Sequence, residues 1–376
     1  ARDILFSFLV DHADSEIGGP ISALCAVWAI MIRPLFTWSN TGFLIHFLIN
    51  KKRGGHPMNP YRFSINLFHP KKIGRREFLK RQAQYMMLLA GGAAGISLPR
   101  MVLGADYPDL ALAKGDPGPA TRKAVALLGG MNRFVKPGDK VVIKPNMSFS
   151  SEVERASNTH PLVVRELAAM CKEADAGRVR VLDHPLRGPE LCIEGIKKAC
   201  SLIDEDMVHG LNRSRFFKSA RIPDGEQMKE TDVMQDVLEA DVLIAAPVAK
   251  SHGSAGVSLS MKGMMGLIWD RGIMHSRYDL QTAIVDLAGL LKPRLVVVDA
   301  TRVLSTNGPS GPGKVLDGRT VIASTDMVAA DAKTVEMFEW YGRKFEARQV
   351  KHIRLAHERG LGRMDVENLK VKQVQL

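Results

Sequence analysis

The run KVVIKPN, Lys140 to Asn146, decides how most of this chain folds. Val141, Val142 and Ile143 are consecutive and apolar, where a strand with one wet face would alternate, so this strand is expected to be buried on both faces. VLIAA at 242–246 and LVVV at 295–298 have the same character. Working outward, candidate strands fall at Leu110–Lys114, Lys140–Lys144, Arg178–Leu182, Asp241–Ala245, Arg294–Val298 and Thr320–Ala323, with a short last one at Leu369–Val374. The stretches Pro161–Glu173, Gly188–Leu202, Val233–Glu239, Asp279–Leu291 and Met327–Tyr341 carry the i, i+3, i+4 spacing of one-sided helices. Strand and helix in alternation predict an α/β fold, a mostly parallel sheet covered by helices, as a single main domain over residues 106–376.

The 376 residues are 45% hydrophobic and 24% charged, which suffices for a sizeable core and excludes disordered and collagen-like classes. The formal charge of +12 is uneven: residues 1–105 hold 13 Lys/Arg against 5 Asp/Glu, a net of +8, leaving +4 for the rest. With 6% aromatics and no run that interleaves them with basic residues, nucleic acid is not an expected partner. The four cysteines, Cys25, Cys171, Cys192 and Cys200, have no C-x-x-C spacing, so no iron–sulfur cluster or zinc ribbon is expected. Neither G-x-G-x-x-G nor a Walker A run is present.

Residues 58–105 read as a delivery segment. Arg75, Arg76, Phe78 and Leu79 stand in GRREFLK, followed by the apolar YMMLLAGGAAGISL and the small-residue exit Val102 to Ala105. That order resembles a twin-arginine export signal, which implies passage through the twin-arginine translocase, a periplasmic location and membrane contact only through the signal region. Met58 opens a conventional n-region, so residues 1–57 are expected to be upstream sequence or, alternatively, a weak membrane anchor. Arg33-Pro34 interrupts the apolar stretch from Ile21 to Trp38, and Thr41 to Ile49 is too short to span.

In open α/β sheets ligands sit beyond the C-terminal ends of the strands. That rule singles out Lys144-Pro145-Asn146, Asp183-His184-Pro185, Pro247 to His252, Asp299 with Arg302 and Asn307, and Thr325-Asp326. Asp183 and Asp326 could serve as helix N-caps and Asn307-Gly308-Pro309 as a turn. Lys144, Lys250, His252, Lys262 and Arg302 near strand ends would together form a cationic pocket suited to a carboxylate or phosphate, with Asn146 and Asn307 in its wall. Met261, Met264 and Met265 have helix-like spacing that favours packing over soft-metal binding.

The motifs VKPGDKVVIKPN, KSHGSAGVSLSMKGMMGLI and TRVLSTNGPSGPG identify the chain, over nearly all of residues 106–376, as resembling the domain of unknown function 362 family. The resemblance implies a fold rather than a reaction. Some relatives look like iron–sulfur proteins, but this chain lacks their cysteines, and the family's Lys-Asn pair is Lys262-Gly263 here. His252 to Lys262 is also similar to a stretch of the nickel-dependent lactate racemase family. That likeness implies Lys262 as a cofactor tether, His252 and His184 as acid/base residues and His275 as a metal ligand, although Leu259-Ser260 replaces a glycine pair. Three functions are thus expected in order: binding of a small anionic metabolite; a metal or lysine-tethered-cofactor enzyme acting on a 2-hydroxy acid; and a non-enzymatic partner of an envelope redox complex.

Overall fold

The three runs of consecutive apolar residues become adjacent strands at the middle of one sheet. The computed structural model describes residues 107–376 apart from Arg187, together with backbone strands between residues 33 and 66. The chain divides into two units, Ala1–Met101 and Val102–Leu376. In the first, Arg33–Ser39, Gly42–Ile49 and Tyr61–Asn66 form an antiparallel sheet, and Lys52–Arg53 pairs with His56–Pro57. Arg75, Arg76, Phe78 and Leu79, and the expected exit after them, lie outside the described residues.

The second unit is built on β1 (Leu110–Lys114), β2 (Lys140–Pro145), β3 (Arg178–Asp183), β4 (Val208–Gly210), β5 (Val242–Ala246), β6 (Val248–His252), β7 (Gly256–Ser258), β8 (Leu295–Leu304), β9 (Val315–Ser324) and β10 (Val371–Gln375). The sheet runs β10-β1-β9-β8-β5-β2-β3-β4, with β6 paired to the far part of β8 and to β7. Along that path every neighbouring pair is parallel except those made by β9, which runs against both β8 and β1. It is an α/β fold with a mostly parallel, mixed sheet.

Helices cover both faces, as the unbroken apolar runs require. Val141, Ile143, Ile244 and Val297 pack toward α1 (Pro117–Leu127), α2 (Pro161–Glu173) and α3 (Pro189–Cys200). Their neighbours Val142, Leu243, Val296 and Val298 pack with the opposite cluster. That cluster holds α6 (Leu280–Leu290), α7 (Met327–Met337) and α8 (Lys351–Glu358), and two short helices, α4 (Ser260–Gly263) and α5 (Gly272–Ser276), precede them. Among the described residues no helix is long and apolar enough to cross a membrane.

Three departures from the sequence reading have local causes. Val233–Glu239 is not one helix: Glu230–Met234 pairs antiparallel with Phe217–Arg221, and only Gln235–Leu238 is helical. Helix α1, unrecognised from periodicity, starts with proline at its first turn, where the missing N–H costs nothing. Strand β8 continues through Asp299 and Arg302 to Leu304, with a register shift between Ala300 and Arg302. The strand end therefore lies six residues beyond Val298, where the sequence reading stopped it.

Candidate functional site

The loops beyond β2, β3 and β6 meet in a cleft of about 530 Å³ of open space. Lys144, next to last in β2, and Asp183, last in β3, are 3% and 0% exposed and lie 3.2 Å apart, Nζ to Oδ1. The same carboxylate accepts from Met147 N–H and the Ser148 hydroxyl, each at 2.9 Å, and so fixes the turn that leaves β2. Gly266 closes over the pair: a Cβ there would stand 2.1 Å from Asp183 Oδ1 and 2.7 Å from Lys144 Cε. Burial holds the Lys144 ammonium below its usual range, opposed by Asp183.

KSHGSAGVS folds into the β6–β7 hairpin, its last pair His252 with Gly256, whose φ of +81° suits glycine at the turn. The hydroxyl of Tyr341 accepts from His252 N–H and donates to Gly256 O, clamping the hairpin. Lys250, 1% exposed, donates to Asn146 Oδ1 at 2.9 Å and to Ser157 O at 2.5 Å, with its ammonium 4.6 Å from the centre of the Phe149 ring. Burial drives its pKa well below the ordinary lysine value. His252 Nδ1 faces the Ala255 N–H at 3.3 Å, and a peptide N–H can only donate, so the neutral ring carries its proton on Nε2. Burial and the nearby Lys262 push this imidazole down to about 3.

Lys262 rides on α4, whose first turn is held from α7: Asp331 accepts from Ser260 N–H, the Ser260 hydroxyl and Met261 N–H. Lys262 is 8% exposed and lines the cleft, and among the described residues its ammonium has no hydrogen-bond acceptor. Burial, then Arg271 and Lys144, push it down to about 8. Arg271, at the start of α5, also lines the cleft with no acceptor among the described residues. His275 lies on the same helix, its ring 6.0 Å from that of His252 and nearly parallel to it, and burial and Lys262 lower its pKa.

Behind this wall a hydrogen-bonded relay anchored on the buried His352 joins distant segments. His352 Nδ1 donates to Gln281 Oε1 at 2.8 Å, and Gln281 Nε2 donates to Ser254 O at 3.0 Å. His352 Nε2 is buried with no partner among the described residues. Burial, with Lys262 as the smaller cause, pushes His352 down to about 3, below the 6.5 of an ordinary histidine. The unfolded chain therefore binds one more proton between those pH values. The stability this group contributes is complete above about 6.5 and is lost as pH falls toward 3, at about 1.4 kcal/mol per pH unit. Asp331 has the opposite sign: burial lifts it to about 7, so its contribution is full below its ordinary value of 3.8 and is lost as pH rises through 7. Urea unfolding of His352→Gln between pH 4 and 7 is expected to show a shallower acid decline than the native chain; equal slopes would remove His352 from that account.

Of the residues singled out in the sequence, Lys144, Asn146, Lys250, His252, Lys262 and His275 line this cleft, joined by Arg271, Ser148, Phe149 and Pro309. Three others do not. The Arg302 guanidinium, within β8 rather than beyond it, pairs with Asp299 Oδ2 at 2.9 Å and donates to Val153 O and Asn158 O. Asn307 turns its amide onto Pro312 O at 3.1 Å, bracing its own loop, while Pro309 two residues on reaches the cleft. His184 stacks on Trp269 with ring centres 5.4 Å apart and meets Ile268 O through Nδ1. Asp326 does cap α7, through Ala329 N–H, whereas Asp183 caps nothing and serves Lys144. Among the described residues no three His, Cys, Asp or Glu side chains gather as a metal-holding group.

A thylakoid-associated protein of Synechocystis sp. is 27% identical over 217 residues, an alignment covering 54% of this chain and 64% of that relative's length. The lactate racemase apoprotein of Thermoanaerobacterium thermosaccharolyticum is similar at a TM-score of 0.36 and 13% identity, over 58% of this chain and 54% of that one. A family model matches residues 141–336, from the first buried strand of the cleft through α7. The chain belongs to the family described as domain of unknown function 362 (DUF362).

Proposed function

We propose that the cleft binds a small anion, a carboxylate or phosphate metabolite. The observation that carries this reading is the state of its four cations. Lys144 is paired with Asp183 and Lys250 is surrounded by acceptors, but Lys262 and Arg271 line the same wall with none among the described residues. Two cations held down by burial, Lys262 also by the charge of Arg271, gain most from an arriving negative charge. His252 Nε2–H adds a neutral donor. Among the described residues no three His, Cys, Asp or Glu side chains gather at the cleft, and its lining cations Lys144, Lys250, Lys262 and Arg271 suit an anion rather than a metal ion. Export to the cell envelope is the accompanying proposal and rests on the Arg75-Arg76 segment.

Titration calorimetry with inorganic phosphate, oxalate and pyruvate tests the reading. At least one is expected to bind at pH 7, and Lys262→Ala and Arg271→Ala are each expected to weaken it roughly 10- to 100-fold, the worth of one charge-assisted hydrogen bond. Affinity is expected to fall as pH rises past about 8, where the Lys262 ammonium is lost. Binding that ignores both substitutions, or no binding of any of the three, would overturn the assignment.

A further inference from the structure

We infer that Lys262 is a Schiff-base lysine, and that the anion of this cleft also carries a carbonyl group, as a small 2-oxo acid does. The inference rests on the anion-binding reading and adds a covalent step to it.

Three observations carry it. First, Lys262 is 8% exposed yet faces the cleft, and among the described residues nothing accepts from its nitrogen. Lys250 shows how this fold treats a lysine kept for structure: a side-chain amide, a backbone carbonyl and an aromatic face all engage its ammonium. Lys144 has its own carboxylate. Lys262 alone of the three has a nitrogen left open toward the ligand space. Second, burial and the positive charges of Arg271 and Lys144 lower its pKa, which raises the share of the neutral amine that attacks carbonyl carbon above that of an ordinary lysine. Third, Lys262 is fixed in place. Asp331 holds the first turn of α4 by three hydrogen bonds, so the lysine is presented from a braced element rather than from a loose loop.

These features divide the work between neighbouring groups. Arg271, unpartnered on the same wall, takes the carboxylate, and the carbonyl carbon is then offered to Nζ of Lys262. Nζ gives up a proton and forms the C–N bond as the carbonyl π bond opens. The oxygen takes up protons and leaves as water. Ammonium plus carbonyl becomes iminium plus water, with charge conserved and no oxidant or reductant consumed. The travelling proton can pass through His275, a neutral imidazole of the same cleft.

The test is reductive trapping on the whole chain. Native protein is incubated with pyruvate or glyoxylate and borohydride, its intact mass is measured, and the modified peptide is mapped. One reduced adduct, on Lys262 and suppressed by excess phosphate, is expected. Lys262→Arg keeps a positive charge but cannot form an imine, so it is expected to lose the adduct. Pyruvate binding without trapping on Lys262 would overturn the Schiff base and leave the anion site standing. Trapping scattered over surface lysines, unaffected by phosphate, would also overturn it. Failure of phosphate, oxalate and pyruvate alike to bind would instead remove the anion-binding reading itself.

Discussion

Asp183→Ala is expected to destabilise the protein by about 3–5 kcal/mol, the cost of breaking a buried ion pair from one side. Asp183 is fully buried, and four neighbours depend on it: the Lys144 ammonium, the Met147 N–H, the Ser148 hydroxyl and the His184 N–H. Removing the carboxylate leaves a cation at 3% exposure with only the Pro145 carbonyl as acceptor, and strands a peptide donor beside it. Asp183→Asn keeps an acceptor oxygen and is expected to lose less. Pairing that change with Lys144→Met should recover part of the loss, because the orphaned charge goes with the lysine. Urea unfolding of the three variants checks the order. A loss below about 1 kcal/mol for Asp183→Ala would mean that Lys144 does not depend on this carboxylate for its burial.

Gly266→Ala is expected to cost about 3 kcal/mol and to empty the cleft of measurable phosphate binding. One methyl group normally overpacks a core by about 1–3 kcal/mol. Here it would land 2.1 Å from Asp183 Oδ1, 2.7 Å from Lys144 Cε and 2.9 Å from Lys144 Nζ, all on side chains that are buried and bonded in place. Neither partner can withdraw without separating the pair, so the cost belongs at the upper end. Displaced Lys144 would also change the field felt by Lys262, on which it acts directly. Gly263→Ala is the internal control: its nearest new neighbour is Pro247 Cβ at 4.0 Å, an ordinary contact, and it lies in α4. That variant should unfold within about 1 kcal/mol of native, on the stabilising side if helix propensity prevails. If the two glycine variants behave alike, close approach at 266 is not what shapes the site.

The central strands were legible because burial on both faces leaves a mark in composition: VVIK, VLIAA and LVVV could only sit between two layers of helix. The rule of strand ends found Lys144, Asn146, Lys250 and His252 for the same reason. It missed Arg271, which starts a five-residue helix rather than following a strand, and it misplaced Arg302 because β8 runs on through a register shift that composition does not signal. Asp183 read equally well as a cap, since nothing local shows that its partner is a lysine on another strand. His352 and Gln281 carry no mark at all, because their relation to Ser254 exists only once α6 and α8 have packed. The hairpin at Glu230–Met234 was lost to helical spacing that a strand-and-helix junction imitates over seven residues.

The strand order also sets a timetable for synthesis. Strands β2, β3 and β4 find one another in the order they leave the ribosome, but β1 pairs with β9 and β10. At roughly 5–20 residues per second, Leu110–Lys114 emerges on the order of ten to forty seconds before Val315–Ser324 can cover it. Four of its five residues end fully enclosed, so for that interval the nascent chain carries an apolar, unpaired strand edge. Neighbouring nascent chains on one message are the nearest surfaces able to take it up, which makes crowding on the polysome a hazard that the stability of the finished fold does not remove.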